Sequence, residues 1–146
     1  MSLHDDKPVE LVAQYLLFKF YYCLDTRDYH GAAALFHPDG VWVRQGGQLL
    51  GPPAILAALA LRSATLVIHH VITNQFVESV DADHASVTSY ITAYRHESGV
   101  TIEGPVPLTG PALVGFCRAE ISRGRQGWRI SRLATGTPTF RGSPAA

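Results

Sequence analysis

The sequence predicts an α+β domain in which three N-terminal helices pack in a curved, mainly antiparallel β-sheet, with a conical pocket between them. Three observations predict it. Residues 9–24 contain no helix breaker and repeat their apolar side chains at helical spacing. From Thr65 onward the apolar residues are β-branched and alternate with polar ones, and turn residues break the run into four pieces. Helical runs come first and strand runs after, an order that places helices on one face of a single sheet.

Pro8 suits the first turn of the first helix, where its missing N–H costs nothing. Leu11, Tyr15, Phe18 and Tyr22 follow one helical stripe, and Leu16, Phe20 and Leu24 another, so this helix is expected to be buried on most sides. It ends near Asp25-Thr26-Arg27-Asp28. Asp28 can cap a short Ala-rich helix over 30–36. His37-Pro38-Asp39-Gly40 reads as a turn before a strand at Val41–Arg44, and Gly46-Gly47 as the tight turn of a small hairpin. Gly51-Pro52-Pro53 opens a third helix through Arg62, whose guanidinium either complements that helix's dipole or meets an anion. The four strands then fall at 65–80, 84–94, 112–123 and 128–134, with a Gly/Pro-rich loop over 96–111. Residues 1–135 form one domain, and 136–146 are expected to be a flexible C-terminal tail.

Composition narrows the function. Twelve basic and twelve acidic residues cancel, and no Lys/Arg cluster forms a nucleic-acid footprint or a basic face for a membrane. No apolar run reaches the length of a membrane span, and acidic residues ahead of the first apolar run are wrong for a secretory signal. The two cysteines, Cys23 and Cys117, are far apart, so no metal or disulfide framework is expected and a reducing, cytoplasmic setting is the default. No nucleotide-binding glycine pattern occurs, and no cofactor is expected. The partner is a small, weakly charged, hydrophobic molecule or a second copy of the chain.

The most chemically loaded stretch is Ile68-His69-His70-Val71-Ile72-Thr73-Asn74-Gln75-Phe76. On a strand, His70, Ile72, Asn74 and Phe76 share one face and His69 lies on the other. The two histidines therefore cannot ligate one metal ion without distortion, and no metal site is expected. Asn74 either contacts a ligand or bonds backbone. Tyr22 either turns its hydroxyl into the pocket or packs. Trp42 is core or pocket wall, and Tyr90 is a core, interface or substrate contact. The strands at 65–80, 84–94 and 112–123 carry few charges, so an apolar outward sheet face and a homodimer or homotrimer are expected.

The segments LDTRDYHGAAALFHPDGVWV, GPPAILAAL, HHVITNQFVE, DADHASVTSYITAY and GWRI together resemble the SnoaL-like branch of the nuclear transport factor 2-like superfamily, over roughly residues 8 to 134. The resemblance implies a cystatin-like α+β roll. Locally the chain is most similar to the scytalone dehydratase and hexachlorocyclohexane dehydrochlorinase branch, which places an Asp at the end of the first helix and a His on the first long strand. Carried onto this sequence, that implies a pair of Asp25 and His70, with His70 as general base and Asp25 holding its tautomer. The dehydrochlorinase's last-strand Arg falls near Arg132, a further substrate-binding candidate. The implied activity is a cofactor-free lyase, dehydratase-like, or isomerase acting on a small cyclic or polyketide-like molecule. The alternative is a non-catalytic module that binds a small hydrophobic ligand.

Overall fold

A computed structural model describes residues 6–142 of the chain. The first helix, α1, spans Val9–Asp25, and the carbonyl of Pro8 accepts from the backbone N–H groups of Leu11 and Val12. Its buried stripe includes Val12, Leu16, Phe20 and Leu24, and Phe20 meets Phe36 and Trp42 edge to face at centroid distances of 5.4 and 5.1 Å. The other expected stripe, Leu11, Tyr15, Phe18 and Tyr22, is exposed. The sheet covers one side of α1 and α2 packs against it, but the remaining side stays in solvent.

The helix ends because Thr26 folds its hydroxyl back onto the Tyr22 carbonyl at 2.8 Å and Arg27 turns left-handed, at φ 65°. Asp28 then caps α2, Tyr29–Ala33, accepting from Gly31 N–H at 2.9 Å. A Cβ at residue 31 would overlap the capping carboxylate, so glycine is what lets Asp28 reach in.

The strand β1 is longer than expected, Phe36–Arg44, and takes in the His37–Gly40 turn residues as an irregularity. Two ties hold this part of the chain in the sheet: Ile130 N–H donates to the Leu35 carbonyl, and His37 Nε2 lies 2.9 Å from the Ser122 carbonyl. β2, Gly47–Leu50, closes the hairpin, and α3, Gly51–Ala60, follows with prolines in its first turn. The remaining strands are β3, Val67–Val80; β4, His84–His96; β5, Leu113–Gly124; β6, Gly127–Thr135; and β7, Phe140–Arg141.

The expected hairpin and meander are joined into one sheet. Its order is β2-β1-β6-β5-β4-β3, with β1 and β6 parallel and every other pair antiparallel. Part of the expected tail is also tied down: β7 pairs with the start of β5, Phe140 opposite Val114.

A bulge in β3 resets the expected faces, and a second register shift follows between Val77 and Ser79. Thr73 pairs with Tyr90 and Phe76 with Thr88, so three steps on β3 match two on β4. Asn74 absorbs the extra residue in a left-handed conformation, φ 54°, which asparagine tolerates better than most residues. Before the bulge, Ile68, His70 and Ile72 point inward; after it, Gln75 and Val77 do, and Asn74 and Phe76 face solvent.

Candidate active site

The strand's alternation turns His70 toward the helices and His69 to the outer face. The last residue of α1, Asp25, reaches the same point. Its Oδ1 lies 2.6 Å from His70 Nδ1, and its Oδ2 accepts from the His70 backbone N–H at 2.8 Å. The two side chains are 12% and 10% exposed for His70 and Asp25. A carboxylate can only accept, so a neutral His70 ring carries its proton on Nδ1 and its lone pair on Nε2.

Two arginines fix this corner, and neither function was readable from the sequence. Arg27 donates to the carbonyls of Ser63 and Ala64, both at 3.1 Å, and to that of Leu66, tying the chain that leads into β3 to the end of α1. Arg62 donates to the Leu24 carbonyl at 3.2 Å, so it serves the C-terminus of α1 rather than that of its own helix. Burial pushes the Arg62 pKa down from its usual value.

Tyr21, one turn before Asp25, stacks its ring at 4.9 Å and 42° against the His70 ring. Its hydroxyl lies 3.6 Å from Cys117 Sγ. Burial first, then Cys117 and Asp25, hold the phenol well above its ordinary pKa of 10.0, so it remains neutral. Sequence reasoning chose Tyr22 instead. Spacing could not separate them, since residues 21 and 22 are four and three before Asp25 and both spacings bring a side chain beside it on a helix.

His70 borders two spaces. A chamber of about 120 Å³ is walled by Tyr21, Trp42, Ile91, Ala93 and Leu113, among others. A wider cleft of about 660 Å³ lies on the other side and runs past Leu24, Ala58, Leu66 and Ile68. Trp42, Gln45, His70, Leu113 and Thr135 line both.

Of the expected substrate contacts, only Trp42 lines these spaces. Tyr22 is 61% exposed and lies under Lys19, because its stripe of α1 faces away from the sheet. Asn74 is turned out by the bulge. Tyr90 is 45% exposed and packs edge to face on Phe116, because it alternates with the inward Ser89 and Ile91. Arg132 also points outward, opposite Glu120, since the buried residue beside it is Leu133. Among the described residues no group of three or more His, Cys, Asp or Glu could hold a metal ion, and no helix is long and apolar enough to cross a membrane.

The sequence pattern of the SnoaL-like domain matches residues 10–134. No protein of curated function matches the chain. Solved structures with the same fold include a Mycobacterium tuberculosis protein of unknown function. That one has TM-score 0.72 and 20% identity, covering 91% of this chain and 74% of that one. A candidate scytalone dehydratase from Novosphingobium aromaticivorans has TM-score 0.69 and 22% identity, covering 94% of this chain and 91% of that one. ActVI-ORFA from Streptomyces coelicolor has TM-score 0.67 and 18% identity, covering 86% and 92%. Others are described as having a cystatin-like fold.

Two measurements test this geometry. Nitrogen-15 NMR of the imidazoles should place the His70 proton on Nδ1; an Nε2–H tautomer would contradict the arrangement. Tyr21 should make stability fall at high pH. Below its usual pKa of 10.0 the phenol is neutral in both states; above it the unfolded chain releases a proton that the folded chain retains. Urea unfolding should show stability declining above about pH 10, by at most about 1.4 kcal/mol per pH unit from this group. The decline should be shallower in Tyr21→Phe; equal slopes would refute the assignment.

Proposed function

The chain belongs to the SnoaL-like domain family, and from that premise we propose that it is a cofactor-free lyase, dehydratase-like, or isomerase acting on a small cyclic or polyketide-like molecule. The observation that carries the reading is the 2.6 Å contact between Asp25 Oδ1 and His70 Nδ1 at the border of a largely apolar chamber. Such a contact leaves Nε2 as a general base and lets the carboxylate stabilise the imidazolium once the proton is taken.

In the lyase form, His70 Nε2 removes a proton from a carbon next to a carbon bearing a hydroxyl. The C–H electron pair becomes the new π bond as the C–O bond breaks. The departing hydroxide takes the proton back from the imidazolium and leaves as water, so the base is restored. In the isomerase form the same proton returns to a different carbon. The neutral Tyr21 ring and Trp42 keep the reacting face dry, which strengthens every charge interaction there.

The same reading includes self-association. Phe76, Tyr90 and Phe116 are exposed on the outer sheet face, and Val71 beside His69 adds to them. Monomers rarely leave such a patch open. A homodimer or homotrimer formed through this face is the expected state, and sedimentation equilibrium should return a mass of two or three chains; a monomer at high micromolar concentration would contradict it.

The activity is tested with a panel of hydroxy-ketones, epoxides and halogenated rings. His70→Ala should abolish turnover while the circular dichroism spectrum is retained. Asp25→Asn should lose most of the rate, since the amide can hold the wrong tautomer and carries no charge; the equivalent change in a serine protease costs about 10⁴ in turnover. Undiminished turnover in His70→Ala would defeat the mechanism. Consumption of nothing in the panel by the wild type, with both variants changing ligand affinity only modestly, would favour a non-catalytic binding module.

A further inference from the structure

The wider cleft beside His70 differs from the inner chamber in one respect: it is lined by three arginines, Arg44, Arg62 and Arg95. Among the described residues no Asp or Glu lines either space. In a chain whose formal charges cancel, three guanidinium groups on one cavity wall are a local concentration of positive charge with no acidic residue in the same lining.

Their other engagements leave that charge available. Arg44 is exposed and lies over the Trp42 ring at 4.9 Å, a stacking that orients the guanidinium without neutralising it. Arg95 is exposed and sits opposite Ile68, two residues before His70. The exposed carboxyl of Glu97 lies near Arg95 but is engaged chiefly by the Thr65 hydroxyl. Neither Arg44 nor Arg95 has a carboxylate within ion-pair distance among the described residues. Arg62 is half-buried, donates to the Leu24 carbonyl and also meets the neutral Tyr29 side chain, and neither partner cancels its charge. Asp25, at the end of α1, has both oxygens taken by His70.

Like charges gathered at a cleft with low-dielectric walls repel one another and focus an attractive field on anions. Guanidinium groups match the planar, two-oxygen shape of a carboxylate, which they bind in a fork. The inner chamber, by contrast, offers Ile91, Ala93, Leu113 and aromatic faces. Trp42, on the wall shared by both spaces, has an indole N–H that is buried with no protein partner. His70 is in the lining of both spaces, so a molecule reaching from one to the other would pass the base.

We infer that the substrate is an amphiphilic acid: an apolar ring held in the inner chamber and a carboxylate held by Arg44, Arg62 and Arg95 in the outer cleft. This rests on the reading of His70 as the base and adds the charge of what it acts on. A carboxylate fixed on one side of His70 and a ring on the other sets which carbon meets Nε2.

The test uses binding rather than turnover, so the two readings can fail separately. Isothermal titration calorimetry at low salt compares 2-naphthoate with its uncharged methyl ester on the full chain. The wild type should bind the acid at least about tenfold tighter, the factor that 1.4 kcal/mol represents. The preference should shrink as salt is raised and should vanish in Arg44→Gln/Arg95→Gln. Both positions are exposed, so that variant should keep the wild-type circular dichroism spectrum. His70→Ala should retain the preference in full. Equal affinity for acid and ester in the wild type, binding of neither, or a preference that survives in the double variant would each overturn the inference and leave the base assignment standing. If the preference behaves as expected while His70→Ala turns substrate over undiminished, the base assignment falls and the acid site remains.

Discussion

Both oxygens of Asp25 are spent on one residue, and the rest of the site depends on that. One holds the His70 backbone and the other holds its ring, so the strand's position and the imidazole's orientation come from the same carboxylate. Asp25 is poorly placed for helix stability. It ends α1, where the dipole disfavours negative charge, and no basic residue occupies the last turn. That penalty is about 0.3–1 kcal/mol. Two hydrogen bonds to a charged acceptor contribute about 1.5–3 kcal/mol each, so the pairing outweighs it. Arg62, reaching across from the end of α3 to the Leu24 carbonyl, supplies the cation that α1 itself lacks.

The neighbourhood divides into dry and charged halves because of where α1 stops. One turn back along the helix, Tyr21 lies against the His70 ring, and Phe20 meets both Tyr21 and Trp42 edge to face at 5.1 Å. These aromatic contacts line the inner side with rigid rings, and the Tyr21 hydroxyl faces Cys117 rather than His70. Past residue 25 the chain turns left-handed at Arg27, and the segment it ties down, residues 63–66, follows Arg62 and adds Ser63 and Leu66 to the lining of the wider cleft. His70 sits at the seam between the two halves.

How much of this could be read in the sequence differs element by element. The helix α1 and the four later strands were legible because each obeys one periodicity over many residues. The inward direction of His70 followed from alternation, and its pairing with Asp25 from resemblance, since nothing local joins residues 45 apart. The parallel contact of β1 with β6 was not legible: it is a long-range choice, and the turn-like His37–Gly40 concealed the start of β1. Tyr22 was preferred to Tyr21 because both lie on apolar stripes, and only the position of the sheet decides which stripe is buried. Arg132 and Tyr90 were placed by register, and a register is settled by neighbours on both sides rather than by the strand alone. The arginine-lined cleft was invisible because Arg44, Arg62 and Arg95 come from three elements, and the sequence's balanced charge hid their convergence.

The bulge at Asn74 shows how two constraints on one strand are reconciled. At its start, β3 is phased by Asp25 and by the Arg27 clamp, which require even-numbered residues to face the helices. Toward its end, β3 is phased by the core, where Val77 pairs with Val87 and packs against it. With strict alternation both cannot hold, since a one-residue offset exchanges the two faces of a strand. Keeping the second phase throughout would turn His70 to the outer face and leave Asp25 without its partner. Keeping the first would put Asn74 and Phe76 into the core in place of Gln75 and Val77. A single extra residue removes the conflict, and it falls on an asparagine, whose short side chain makes the left-handed backbone cheap. The bulge therefore lets the site and the core each choose the face of β3 they need.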